Sequence, residues 1–166
     1  MVNFTISSED YLSALRLHMR RYWARSRTPK LALSGLLLVC VVAMVVTAFD
    51  ALVTSAAAGA MIALACLPLL QYFVLLPYQA RRIYRHQKSL HYPVQAAWSD
   101  RGYSASSGEV SGTTSWNDFY GWSADARIIL FMQSPVFFQM LPRRALSDEQ
   151  AERLFADLER SGLKRL

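Results

Sequence analysis

Two charge-free apolar runs in succession constrain this chain of 166 residues more than any other feature. Residues 31–49 carry no charge, and only Ser34, Gly35 and Thr47 dilute the aliphatic side chains; after Asp50, residues 53–76 continue without a charge. At about 1.5 Å per helical residue the first run covers roughly 28 Å, close to the hydrocarbon thickness of a bilayer. Backbone groups in lipid must be satisfied within their own segment, so both runs are expected as helices forming a transmembrane hairpin. A core helix of a soluble protein is the alternative for either run alone, and two consecutive runs of this length weigh against it.

The flanks orient the hairpin. Arg16, Arg20, Arg21, Arg25, Arg27 and Lys30 precede it, Arg81, Arg82, Arg85 and Lys88 follow it, and the connection carries only Asp50. By the positive-inside rule both ends are expected in the cytoplasm and the tip around Asp50 on the far side. The net charge of +6 therefore belongs to the membrane flanks: residues 1–30 carry +4, 81–88 carry +4, and 31–80 and 89–166 carry −1 each. A nucleic-acid binder would concentrate its positive charge on a folded domain, so no nucleic-acid partner is expected. Attraction to anionic lipid headgroups accounts for the same residues.

If the turn centres near Ala51, Thr47 faces Ser55, Ala43 faces Gly59 and Val39 faces Ala63. The series Ser55, Gly59, Ala63 then makes a small-residue face along which helix backbones can approach. The same face would also serve a homodimer. Pro68 is expected to bend the second helix, because it lacks the backbone donor. The spans hold no Asp, Glu, Lys, Arg or His within them, which disfavours a channel or transporter, and Gln71 reads as an interhelical hydrogen-bond partner. Cys40 and Cys66 both fall inside the spans, so no disulfide framework or zinc site is expected. The apolar run starts only after about thirty charged and polar residues, unlike a cleavable signal peptide.

Outside the hairpin the periodicities change. Residues 3–6 read as a short strand with Phe4 and Ile6 on one face. Ser7 and Ser8 offer a helix cap, with Glu9 and Asp10 in the first turn. The helix expected over 9–24 carries Leu12, Leu15, Met19 and Tyr22 or Trp23 on one side, and either lies in the membrane interface or packs on the cytoplasmic domain. From 91 to 99 the period becomes two, with Val94, Ala96 and Trp98 alternating, and Asp100-Arg101-Gly102 is a turn with a glycine available for positive φ. Strands are expected over 103–107 and 110–115, and a hairpin over 128–132 and 136–140 whose apolar strands are covered on both faces. Ser147 with Gln150 forms a capping box, and Ala151, Leu154, Phe155 and Leu158 trace a helical stripe that Gly162 ends.

Phe4-Thr5-Ile6 leading into Glu9-Asp10-Tyr11, then Trp116-Asn117-Asp118-Phe119, and finally Leu141-Pro142-Arg143-Arg144-Ala145-Leu146 carry a resemblance to the YcxB-like family. The last stretch is similar to the family's Ile-Pro-Lys-Arg-Ala-Phe, with leucines at both ends and Arg143 for the lysine. The resemblance implies a two-helix membrane anchor and a small antiparallel sheet closed by a C-terminal helix, similar to pleckstrin-homology-like modules. It implies no established activity. The expected whole is an α+β membrane protein of three parts: a cytoplasmic strand and basic amphipathic helix over 1–30, the hairpin over 31–80, and a β-domain with a C-terminal helix over 89–166. Its expected place is a bacterial inner (plasma) membrane, multi-pass, with both termini cytoplasmic.

An enzyme would need a nucleophile with its base, paired carboxylates or a metal cluster. Gly121-Trp122-Ser123-Ala124-Asp125 is no nucleophile elbow, since its last position is Asp, and His18, His86 and His91 are scattered. No catalytic, cofactor or metal residues are assigned. The preferred expectation is a membrane-tethered interaction module that binds a protein partner or lipid headgroups through Arg143, Arg144, Trp116, Phe119 and Trp122. For the arginines a solvated charge run is the plainer alternative, and for the aromatics a core role is. An immunity protein against a neighbour's toxin and a small regulatory subunit of a membrane complex are the other two functions consistent with this layout.

Overall fold

The computed structural model describes residues 1–25, 27–47 and 50–166. Two compact units divide the chain: Met1–Leu17 with Gln79–Leu166, and His18–Tyr78. The fold is α+β, with antiparallel sheets and helices.

The first unit holds seven strands. In the four-stranded sheet the order is β1 (Val2–Phe4), β2 (Val94–Trp98), β3 (Gly102–Ser107) and β4 (Val110–Ser115), all antiparallel. The N-terminal strand therefore joins this sheet, Val2 facing Ala96 and Phe4 facing Val94. The three-stranded sheet runs β5 (Gly121–Ala124), β6 (Ile128–Met132) and β7 (Phe138–Pro142). The last strand starts two residues later than its apolar run predicts. Pro135, Val136 and Phe137 instead form the turn, where Gln133 and Ser134 donate their backbone N–H groups to the Phe137 carbonyl.

Alternation on the strands builds the core. Val2, Phe4, Ala96 and Tyr103 from the first sheet meet Trp122, Ile129, Phe131 and Leu141 from the second, and Ala151, Leu154 and Leu158 of α5 (Asp148–Arg160) close the layer. Every residue of β6 is buried because its other face, Ile128, Leu130 and Met132, is covered by Ala14 and Leu17 of α1 (Ser8–Arg25). A strand buried on both faces reads as a continuous apolar run, which is why Ile128-Ile129-Leu130-Phe131-Met132 shows no alternation. The fully buried positions of α1 are Asp10, Ala14 and Leu17, not the stripe through Leu12, Leu15, Met19 and Trp23, whose members are only half-buried. The small Ala14 lets the helix sit close on the sheet, a fit that a hydropathy stripe does not reveal.

Two glycines work differently from each other. Gly108, at φ 59°, closes the β3–β4 hairpin in the left-handed region. Gly102 does not take the positive φ its turn suggests; a Cβ there would press on the Thr114 carbonyl of the paired strand, so close backbone approach excludes a side chain. The capping box forms as expected: Ser147 Oγ accepts from Gln150 N–H and Gln150 Oε1 from Ser147 N–H. Gly162, at φ 71°, follows the end of α5. Beyond it the tail lies along β5, Trp122 N–H donating to the Lys164 carbonyl at 2.9 Å and Leu166 N–H to the Trp122 carbonyl at 2.8 Å.

The second unit contains α2 (Thr28–Val46) and α3 (Ala51–Leu70), which lie against each other. Asp50 caps α3, its Oδ1 accepting from Leu52 N–H at 3.0 Å and Val53 N–H at 3.3 Å. Helix continues through a wider π-type turn over Gln71–Leu75 into α4 (Leu76–His86), with Leu76 N–H bonded to the Gln71 carbonyl. This irregular turn lies between Pro68 and Pro77, each of which withholds a backbone donor. Among the described residues one helical run, Ala51–His86, is long and apolar enough to cross a membrane by length and composition. The preceding apolar helix is shorter over its described part, and Ala48 and Phe49, the end of the span expected over 31–49, lie outside the described residues. The expected small-residue face is also revised: Ser55, Gly59 and Ala63 are exposed, and the buried positions are Ala57 on α3 and Cys40 on α2.

Candidate functional site

The arginine pair lies in a cleft of about 560 Å³ lined by Ser7, Glu9, Asp10, Ser13, Ala126, Arg127, Arg143, Arg144, Leu146 and Asp148. Three local devices build it. Asp125 Oδ1 accepts from Arg127 N–H at 2.8 Å and Ile128 N–H at 2.9 Å, an Asx turn that starts β6. Arg143 N–H donates to the Arg127 carbonyl at 2.9 Å, so β7 delivers both arginines to the cleft as it ends. A single 3₁₀ turn over Arg143–Ala145 then leads to the Ser147 cap.

On the opposite wall Ser7 and Asp10 form a second capping box. Ser7 N–H donates to Asp10 Oδ2 at 2.8 Å, and Asp10 N–H donates to Ser7 Oγ at 3.1 Å. The spacing is that of the box at Ser147, with Asp in place of Gln. Arg144 then reaches the same carboxylate with two nitrogens, Nη2 to Oδ2 at 2.5 Å and Nε to Oδ1 at 3.3 Å, and Nη2 also donates to the Thr5 carbonyl at 2.8 Å. Burial pushes the Asp10 carboxyl up, but the Arg144 and Ser7 hydrogen bonds and the Arg144 charge outweigh it and hold it below its ordinary value. The same pair raises Arg144.

Arg144 is thus spent within the fold, joining the N-terminal segment to the turn before α5, and it is withdrawn as a free anion contact. Arg143 is less constrained, with Nη2 3.5 Å from the fully exposed Asp148 carboxylate and its guanidinium 5.9 Å from the Phe155 ring centre. Arg127, Arg143 and Arg144 line the cleft together with Glu9, Asp10 and Asp148, and Arg144 is already paired with Asp10.

The three aromatics expected as contacts lie elsewhere, in the core. Trp116 and Phe119 pack on Phe131 with ring centres 5.8 Å and 5.9 Å away, and Trp122 stacks on Phe155 at 5.5 Å. Trp116 and Trp122 are each 3% exposed, and their indole N–H groups donate to the carbonyls of Ser99 at 2.8 Å and Leu163 at 3.1 Å. Rings held from both sides in this way have no face left for a partner. Asp10 and Arg127 are the site residues that sequence reasoning missed; the Ser7-x-x-Asp10 spacing was the available signal for the first. Among the described residues no three His, Cys, Asp or Glu side chains stand where they could hold a metal ion.

No curated protein and no solved structure matches the chain. A protein-family model described as YcxB-like protein matches residues 98–157. The match runs from the end of β2 through all later strands, the arginine turn and most of α5, and over those residues the chain is similar to the YcxB-like family.

Proposed function

We propose that the chain is a membrane-anchored cytoplasmic interaction module of the bacterial plasma membrane, crossing the bilayer twice over 31–49 and 53–76. One observation carries the reading. β1 precedes the apolar helices and β2 follows them, yet the two pair in one sheet. A sheet cannot be divided by a bilayer, so the segment between them crosses an even number of times or not at all. The helical run Ala51–His86 is suited to crossing, and the basic residues flanking the apolar segment favour the cytoplasm for both ends. Four strands, three strands and a closing C-terminal helix also support a pleckstrin-homology-like reading of the domain. Partner or headgroup contact falls to Arg143 and Arg127, since Arg144 is committed.

The test is a set of topology fusions together with alkaline extraction. A fluorescent reporter after Leu166 is expected to be active in the cytoplasm, a reporter of the far compartment inserted at Asp50 to be active there, and the chain to stay in the membrane pellet. A C-terminal reporter found across the membrane, or the chain in the aqueous fraction, overturns the reading.

A further inference from the structure

The outer edge of the four-stranded sheet is the least defended surface of the first unit. β4 is the last strand in the order, and five of its six residues are exposed. Its pairing with β3 is continuous from Ser107 opposite Val110 to Gly102 opposite Ser115, with no bulge. It holds no lysine, no proline and no charge. Proteins usually blunt a free edge by one of those devices, because unpaired N–H and C=O groups recruit another strand.

The register fixes which groups are free. The β3–β4 connection has two residues, so Ser107 and Val110 form a hydrogen-bonded pair, and such pairs recur at every second residue. Val110, Gly112 and Thr114 therefore point their backbone groups at β3, and Ser111, Thr113 and Ser115 point theirs outward. The outward set is symmetric about Thr113.

We infer that β4 pairs antiparallel with β4 of a second copy of this chain, Thr113 facing its own image and Ser111 facing Ser115, so that two four-stranded sheets become one. The chemistry favours a second copy over an arbitrary partner. In a two-fold contact each side chain near the axis meets its own kind, and the usual veto is like charge against like charge. Ser111 and Thr113 share the outer face with Ser104, Ser106 and Gln95, all uncharged. A hydroxyl both donates and accepts, so it pairs with its image where a lysine or carboxylate would not. Ser104 and Thr113 already do this across β3 and β4, their hydroxyl oxygens 3.0 Å apart. The inference stands on the sheet alone and does not depend on the membrane reading.

The experiment places a cysteine at the axis of the full chain in mild detergent, in a Cys40→Ala, Cys66→Ala background. Facing residues of a hydrogen-bonded pair have Cα atoms about 5.5 Å apart, within disulfide reach. Thr113→Cys is expected to give a covalent dimer under mild oxidation. Ser104→Cys, one strand further from the axis on each side, is separated by roughly 15 Å and is expected to give none. Thr113→Pro removes an outward N–H without touching the β3 ladder, and is expected to abolish the dimer measured by light scattering. Ser111→Lys is expected to do the same by charge. The inference is overturned by equal cross-linking at both positions, by a dimer that survives both edge variants, by a monomeric parent chain, or by a Thr113→Cys adduct with a protein of different mass.

Discussion

Arg144 and Asp10, 134 residues apart, form a forked ion pair in which one guanidinium spans both carboxylate oxygens. The Asp10 side chain is 11% exposed and that of Arg144 55%, so the pair lies between the weak surface kind and the costly buried kind. Arg144→Ala leaves Asp10 half-provided, with Ser7 alone to satisfy it. A loss of about 1–2 kcal/mol is expected after discounting for the exposed arginine. Thermal melting followed by tryptophan fluorescence measures it, and Arg144→Lys should recover only part, because a lysine cannot fork. No loss in either variant would mean that the pair does not hold the N-terminal segment.

The same pair gives a pH dependence with a definite sign. Asp10 titrates below its ordinary value near 3.8 in the folded protein. Its contribution is therefore complete above the unfolded value and disappears as pH falls through the folded one. Stability of the parent chain relative to Asp10→Asn should be greatest near neutrality and shrink toward zero in acid. A difference that grows on acidification would contradict the assignment.

Trp122 tests whether the buried aromatics bind anything. Trp122→Ala removes the Phe155 stack and the Leu163 hydrogen bond, and an expected cost of about 3–5 kcal/mol is that of a large core truncation. Arg143→Ala should cost far less stability, because its partner Asp148 is fully exposed. If binding to anionic vesicles falls in the Arg143 variant while its melting temperature holds, the contact lies in the cleft; Trp122 should show loss of fold first.

Tyr84 links α4 to the N-terminal segment through its hydroxyl, which donates to the Ile6 carbonyl at 3.0 Å. Tyr84→Phe deletes one hydrogen bond and keeps the ring on His91, 4.6 Å between centres. A loss of about 1 kcal/mol is expected. Amide exchange should quicken around Ile6 and leave the core of β6 unchanged.

Local chemistry was legible wherever it was self-contained. The Ser147 box, the β2 alternation, the strand over 110–115 and the unbroken apolar run of β6 all reside in neighbouring residues, and each appears where the sequence predicts it. The arginine turn was legible as a motif but not as a site, because Asp10 pairs with it from across the chain.

By itself the sequence determined the classes of segment: apolar helices flanked by basic residues, then short antiparallel strands, then a capped helix. These follow from periods, charges and caps that act within a few residues. Tertiary structure decided that β1 completes a sheet begun after the apolar helices, that Trp116, Phe119 and Trp122 face inward, and that Arg144 is committed to Asp10. Each depends on which distant surface comes to lie opposite, and no local spacing encodes that.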